Sequence, residues 1–213
     1  RNQEGRKCQA VVAEYTADTY AAINVKNGVI LSDGTVVPAH QAVAWVAGAT
    51  AGAGLAESLT YTAYDDAVDV DTRYLDSEIV ESILRGEFVF VEKRGQAIVE
   101  IDINSHVSFT ATEGETFRKN RLLRVIDAYD NNTRITFEDF FIGKINRDLN
   151  GAALFKANRV AYLNNLQDAG AIEDFVPEDV VVEFGEEANS YVVETYIKPV
   201  DAAEKLYHTT YVR

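Results

Sequence analysis

NGVILSDGTVVPAHQAVAWVAGATAGAGLAESLTY, residues Asn27 to Tyr61, passes from strand signals to a helix signal within a dozen positions. Ala22 to Val25 and Val29 to Leu31 are short apolar runs on either side of Lys26-Asn27-Gly28. Asn-Gly between two such runs predicts a hairpin. Asp33-Gly34 predicts a second turn, leading into Thr35 to Val37. Pro38 suits the first turn of a helix, and a helix is expected from Pro38 to Ala47 with Ala42, Trp45 and Val46 on one side. Gly48, Gly52 and Gly54 then end it or admit another backbone closely.

Upstream, Cys8 to Ala13 is an apolar run expected as a buried strand, with Cys8 a core thiol. Downstream, Asp76 or Ser77 caps an expected helix to Arg85, with Ile79, Ile83 and Leu84 inward and Gly86 as its stop. Glu87 to Glu92 and Ala97 to Ile103 read as a hairpin joined through Lys93-Arg94-Gly95-Gln96. The longest helical signal covers 116–141, where Leu122, Ile126, Tyr129, Thr133, Phe137 and Phe140 recur in one stripe. Asn131-Asn132-Thr133 marks a point where that helix bends or splits. A second helix is expected over Ala152 to Ala169, with Phe155, Tyr162, Leu163 and Leu166 as its stripe and Gly170 closing it. Val180 to Phe184, Tyr191 to Lys198 and Lys205 to Val212 are expected strands. The order predicts a mixed α/β (α+β) fold, sheets flanked by helices, with C-terminal β-strands.

The chain has 213 residues, enough to bury roughly 70% of the surface its unfolded form exposes. One cysteine excludes an intrachain disulfide and suits a reducing compartment. No apolar run approaches the ~20 residues that cross a bilayer, and no signal peptide is visible. The chain has no Met and begins at Arg1, so a fragment or processed chain is expected, with part of the function upstream. A net charge of −14 argues against nucleic acid and anionic membrane as direct partners. The charge is uneven: Glu173 to Glu187 holds seven acids and no base, and Arg118 to Arg124 four bases and no acid.

Chemistry-bearing motifs are weak. Gly48-Ala-Thr-Ala-Gly52-Ala-Gly54 lacks the Gly-Lys-Ser/Thr of a phosphate loop, and Glu57 would repel phosphate. His40, His106 and His208 are far apart and fit no ligand pattern. Asp148 and Asn150-Gly151 lack the further oxygens of a calcium loop and read as a turn before a helix. There is no G-x-S-x-G elbow, and no acid pair stands out. No catalytic residue, metal ligand or cofactor is therefore assigned.

Two features concern partners instead. Arg118, Lys119, Arg121 and Arg124 are either paired within the helix, for example Arg124 with Asp127, or a docking face for an acidic surface. The last expected strand, Lys205, Leu206, Tyr207, His208, Thr209, Thr210, Tyr211 and Val212, can pair in its own sheet or be donated to a neighbour's open edge.

Several spaced segments occur in a collinear order: AWVAGATAG, SLTY, DSEIVE, GEFVF, VEIDINS, KNRLLRVIDA, FIGKIN, LQDAGAI and PVDAAEKLY. Together they resemble the C-terminal half of contractile tail sheath subunits, especially those of phages and defective prophages of Gram-positive bacteria. The resemblance runs from Lys7 to Val212. It implies a non-enzymatic structural subunit that polymerises as stacked hexameric rings around a tail tube, contracts, and drives the tube through a cell envelope. It implies that copies of itself, the tube protein, and baseplate and tail-terminator proteins are the partners, in a virion tail assembled in the host cytoplasm. It also implies linkage by exchanged terminal arms, which makes Lys205 to Val212 the candidate exchanged strand. By the same analogy, residues 1–75 are the end of the sheath core domain and 76–213 the tube-proximal C-terminal domain. The charge of Arg118 to Arg124 makes it a candidate tube or intersubunit contact. The upstream arm and outer domains of a full sheath subunit are not in this sequence. Leu149 stands where a more polar turn residue is expected, and Ala203 where relatives carry a bulkier apolar one. Two other classes remain open on the residues alone: a small-molecule-binding α/β enzyme using Gly48 to Gly54, and a monomeric module whose acidic face, Glu173 to Glu187, meets a basic partner.

Overall fold

Asn27 and Gly28 do not fold the chain into a hairpin, contrary to the expectation from that dipeptide. The computed structural model describes residues 5–212. In it β1 (Ala10–Ala13) and β2 (Ala22–Val25) run parallel, while β3 (Val29–Leu31) belongs to another sheet, where it pairs antiparallel with β4 (Val36–Val37) and β5 (Ala67–Val70). A two-residue Asn-Gly hairpin turn needs positive φ at both positions, and neither has it. Asn27 is instead buried, and its carboxamide donates to the Phe90 carbonyl at 2.9 Å and accepts from the Phe90 N–H at 2.9 Å. It therefore stitches one sheet to another strand. Gly28 lies so close to Val37 and Pro38 that a Cβ would stand 2.0 Å from the Val37 carbonyl oxygen. The Asp33-Gly34 turn forms as expected, with the Asp33 carboxylate accepting from Thr35 N–H at 2.8 Å.

Pro38 is the N-cap of α1 (Ala39–Gly52), which buries Ala42 and Val46. The helix continues five residues beyond the expected Ala47, through Gly48. Alanine's high helix propensity carries Ala49 to Ala51 onward. Trp45 stacks on Tyr64 at 4.6 Å between ring centroids and donates to Asp65 at 3.0 Å. α2 (Asp76–Leu84) starts where Glu78 accepts from Leu75 N–H at 2.7 Å. Leu84, expected inward, is exposed, and Ser82 is buried in its place, so the helix is rotated from the apolar reading.

Glu87 to Glu92 divides in two. β6 (Glu87–Phe88) joins β2 in parallel, and β7 (Phe90–Lys93) pairs antiparallel with β8 (Gln96–Val99). Arg94 and Gly95, with φ of 59° and 76°, close that hairpin with the positive-φ pair that matches strand twist. Ile23, Val25, Val29, Val46, Val70, Phe88, Phe90 and Val99 form one core. It joins strands on both sides of residues 75/76. Cys8 is exposed rather than a core thiol, because the strand begins only at Ala10.

α3 (Asn120–Phe140) follows a short 3-10 turn at Glu115–Arg118. Leu122 and Tyr129 of the expected stripe are buried, whereas Phe140 is exposed. Leu123 and Val125, outside the stripe, are fully buried, so the helix is covered on more than one face. It neither splits nor breaks at Asn131, whose carboxamide bonds both the N–H and the carbonyl of Lys7, at 2.9 and 2.8 Å. α4 (Leu149–Asp168) starts three residues before the expected Ala152, with Asp148 as N-cap accepting from Gly151 N–H at 2.8 Å.

Arg159 on α4 is 1% exposed. Its guanidinium donates to Thr133 at 2.8 Å and Thr136 at 3.0 Å on α3, and lies 5.5–5.9 Å from the ring centres of Phe155, Tyr162 and Tyr129. Burial pushes its pKa down. β9 (Val180–Phe184) and β10 (Tyr191–Thr195) make a two-stranded antiparallel sheet. Val125, Tyr129, Leu163, Leu166, Ile172 and Val180 form the second core.

The expected strand at Lys205 to Val212 is not formed in the single chain. All eight residues are exposed and carry no strand pairing. No described helix is long and apolar enough to cross a membrane.

Candidate assembly site

The C-terminal segment leaves the body in stages. Tyr196 N–H donates to the Asp179 carbonyl at 3.0 Å, Glu173 N–H to the Lys198 carbonyl at 3.0 Å, and Val200 N–H to the Ala171 carbonyl at 3.0 Å. Lys198 also sits 2.7 Å from both Glu173 and Asp174, whose carboxylates hold its ammonium pKa well above the usual lysine range. Six residues beyond Lys198, Glu204 accepts from the Thr60 hydroxyl at 2.9 Å and from the Lys119 ammonium. Beyond it Leu206, Tyr207, Tyr211 and Val212 are 89, 91, 88 and 95% exposed. Four large apolar or aromatic side chains of one short segment thus face solvent in the single chain.

The four basic residues lie beside this root, and three are committed within the chain. Arg118 donates to the Ile83 carbonyl, and burial lowers its pKa. Lys119 meets Glu204 and stands 4.0 Å from Asp201. Arg124 donates to the Glu57 carbonyl at 2.8 Å, with one nitrogen 3.6 Å from Asp102. Arg121 lines the depression formed by Ala56 to Tyr61 and Ala202 to Glu204, and no ion pair engages it among the described residues.

Asp102, not singled out from sequence, is the hub beneath. It is 1% exposed, accepts from Leu59 N–H at 3.1 Å and Asn120 at 2.8 Å, and faces Arg124. Its own N–H donates to Thr60 at 3.0 Å. The signal was its place in VEIDINS, an acid between Ile101 and Ile103. Asp102→Ala strands an amide, a carboxamide and a guanidinium. Breaking such a buried pair costs about 3 kcal/mol or more. Chemical denaturation should show that loss, and a change below about 1 kcal/mol would remove Asp102 from the junction's framework.

The other sequence candidates do not converge. Gly48 and Gly52 lie within α1, so their amides serve the helix ladder rather than a phosphate loop. His40 and His208 are exposed, and His106 is buried beside Asp18 and the Glu113 carbonyl. Among the described residues no group of three or more His, Cys, Asp or Glu is placed to hold a metal ion.

Comparison with known proteins finds two family models end to end: the phage tail sheath protein central domain matches residues 1–105 and the phage tail sheath C-terminal domain matches 112–213. The phage-like element PBSX protein XkdK of Bacillus subtilis (strain 168) is 39% identical over 216 residues, covering 97% of this chain and 46% of that protein. The solved sheath tail protein of Desulfitobacterium hafniense is 44% identical with a TM-score of 0.88, covering 97% of this chain and 49% of the other. The sheath tail protein Lin1278 of Listeria innocua is 38% identical with a TM-score of 0.87, covering 99% and 50%. The chain spans about half the length of the curated relatives it matches.

Proposed function

The chain belongs to the phage tail sheath protein family, and from that premise we propose that it is a non-enzymatic structural part of a contractile tail sheath. Copies stack as hexameric rings around a tail tube, and contraction drives the tube through the target envelope. The partners are other copies of the protein, the tube, the baseplate and the tail terminator, in a virion or prophage-type particle assembled in the host cytoplasm. The observation that carries this reading is the arm at Lys205 to Val212, exposed along its whole length. β9 and β10 support it from the accepting side. Each has a single strand neighbour among the described residues, which leaves a sheet edge free to take a further strand. We place the boundary of the tube-proximal domain between residues 105 and 112, where the two family models meet, because Phe88 to Val99 share a core with Ile23 to Val70. Negative-stain microscopy of the full-length protein, produced with its tube protein, tests the proposal. Tubes or stacked rings are expected, and dispersed particles alone would overturn it.

Within the basic cluster, Arg121 is the member left for a tube or intersubunit contact. Arg118, Lys119 and Arg124 contribute by holding the surface on which it stands. Arg121→Glu should weaken sheath–tube association by about 1 kcal/mol, a few-fold, with the difference fading as salt rises. Co-sedimentation at two ionic strengths measures this, and equal binding at both would reduce Arg121 to ordinary surface charge.

A further inference from the structure

Glu204 is held by two parts of the body that lie far away in sequence. Thr60 follows α1 and belongs to the part matched by the central-domain model, and Lys119 is the residue that precedes α3 in the part matched by the C-terminal model. The Thr60 hydroxyl accepts from Asp102 N–H at 3.0 Å and from the Ser58 hydroxyl at 3.0 Å. Its single proton is therefore left for Glu204. The Glu204 side chain is only 13% exposed, although residues 203 and 205 on either side are exposed. Only this side chain is drawn in.

We propose that Glu204 is the positioning residue of the terminal arm. It fixes the point and direction from which residues 205–212 leave the subunit toward a second copy. This rests on the strand-exchange reading above. With the clamp closed, the arm from 205 to 212 is free, and it reaches at most about 28 Å. With it open, the last main-chain anchor is Val200, and twelve residues reach about 40 Å. A longer, undirected tether lowers the effective concentration of the strand at its acceptor by about two- to threefold.

Nitroxide labels report the clamp directly. Cys8 is the chain's one cysteine, so Cys8→Ser gives a clean background for Ala203→Cys and Tyr207→Cys. In the full-length protein the label at 203 should be restricted and that at 207 mobile. Glu204→Gln should mobilise 203 alone, and the exchange Lys119→Glu with Glu204→Lys should restrict it again. The protein concentration needed for assembly should rise two- to threefold in Glu204→Gln and return in the exchanged pair. Equal mobility at 203 and 207 in the native protein, or an unchanged assembly threshold in Glu204→Gln, overturns the proposal. A chain ending at Glu204 separates the two ideas. If it assembles normally, strand exchange itself fails. If it does not assemble while Glu204→Gln assembles normally, only the clamp fails.

Discussion

A chain truncated after Glu204 will fold normally and will not assemble. Residues 205–212 are exposed throughout and carry no strand pairing in the single chain, so their loss removes almost nothing from folding. The melting temperature should stay within about 2 °C of the intact chain, since 1 kcal/mol would already move it by roughly 2–4 °C at this size. Assembly is another matter. Burying Leu206, Tyr207, Tyr211 and Val212 against a neighbour stabilises by about 1.5–3 kcal/mol per side chain, and each ladder hydrogen bond adds about 1 kcal/mol. Ordering the strand costs about 1–2 kcal/mol per residue, so a single junction is only weakly favourable. A lattice multiplies a weak junction by every contact it repeats, and losing all of them is close to all-or-none. Wild-type polymer from the truncated protein would refute strand donation.

Gly28→Ala should be the most damaging single substitution in the first core. An added Cβ would lie 2.0 Å from the Val37 oxygen, 2.6 Å from an Asp71 carboxylate oxygen and 2.8 Å from the Pro38 carbonyl carbon. Two of these are backbone atoms fixed by β4 and the start of α1, so the strand must move rather than a side chain. Displacing Gly28 also drags the Asn27 carboxamide off Phe90. Overpacking with lost buried hydrogen bonds should cost about 3 kcal/mol or more. Gly48→Ala provides the opposite sign. Position 48 is inside α1 with nothing within 4 Å of the added carbon, so this change should stabilise by about 0.5–1 kcal/mol. Urea denaturation of both variants decides the matter, and a loss below about 1 kcal/mol in Gly28→Ala would mean that the strand seam yields easily.

The elements that the sequence made legible are those whose cause is local. The stripe from Leu122 to Phe137, the Arg94-Gly95 turn, and the β-branched run Val180 to Val182 all act through neighbours a few positions away. Asn27 misled because its usual local use, a turn, lost to two hydrogen bonds with a residue 63 positions on. Leu84 misled because α2 buries a serine on the side that an apolar stripe would claim. The charge of Arg118 to Arg124 was plain, but its partners are backbone carbonyls at 54, 57 and 83 and carboxylates at 102 and 204, which charge patterning does not reveal. The family resemblance pointed to the terminal segment, and the single chain forms no strand there. On the strand-exchange reading its pairing would come only from a neighbouring copy.

Arg159 bears on how the α3–α4 contact responds to acid and salt. Among the described residues its cation is surrounded by rings, hydroxyls and the Asn158 carboxamide and has no carboxylate within ion-pairing distance. No proton uptake by a mate can release it, and dissolved ions do not reach a site 1% exposed. The contact that Arg159 makes between α3 and α4 should therefore hold across pH and salt, because it has no carboxylate mate to lose.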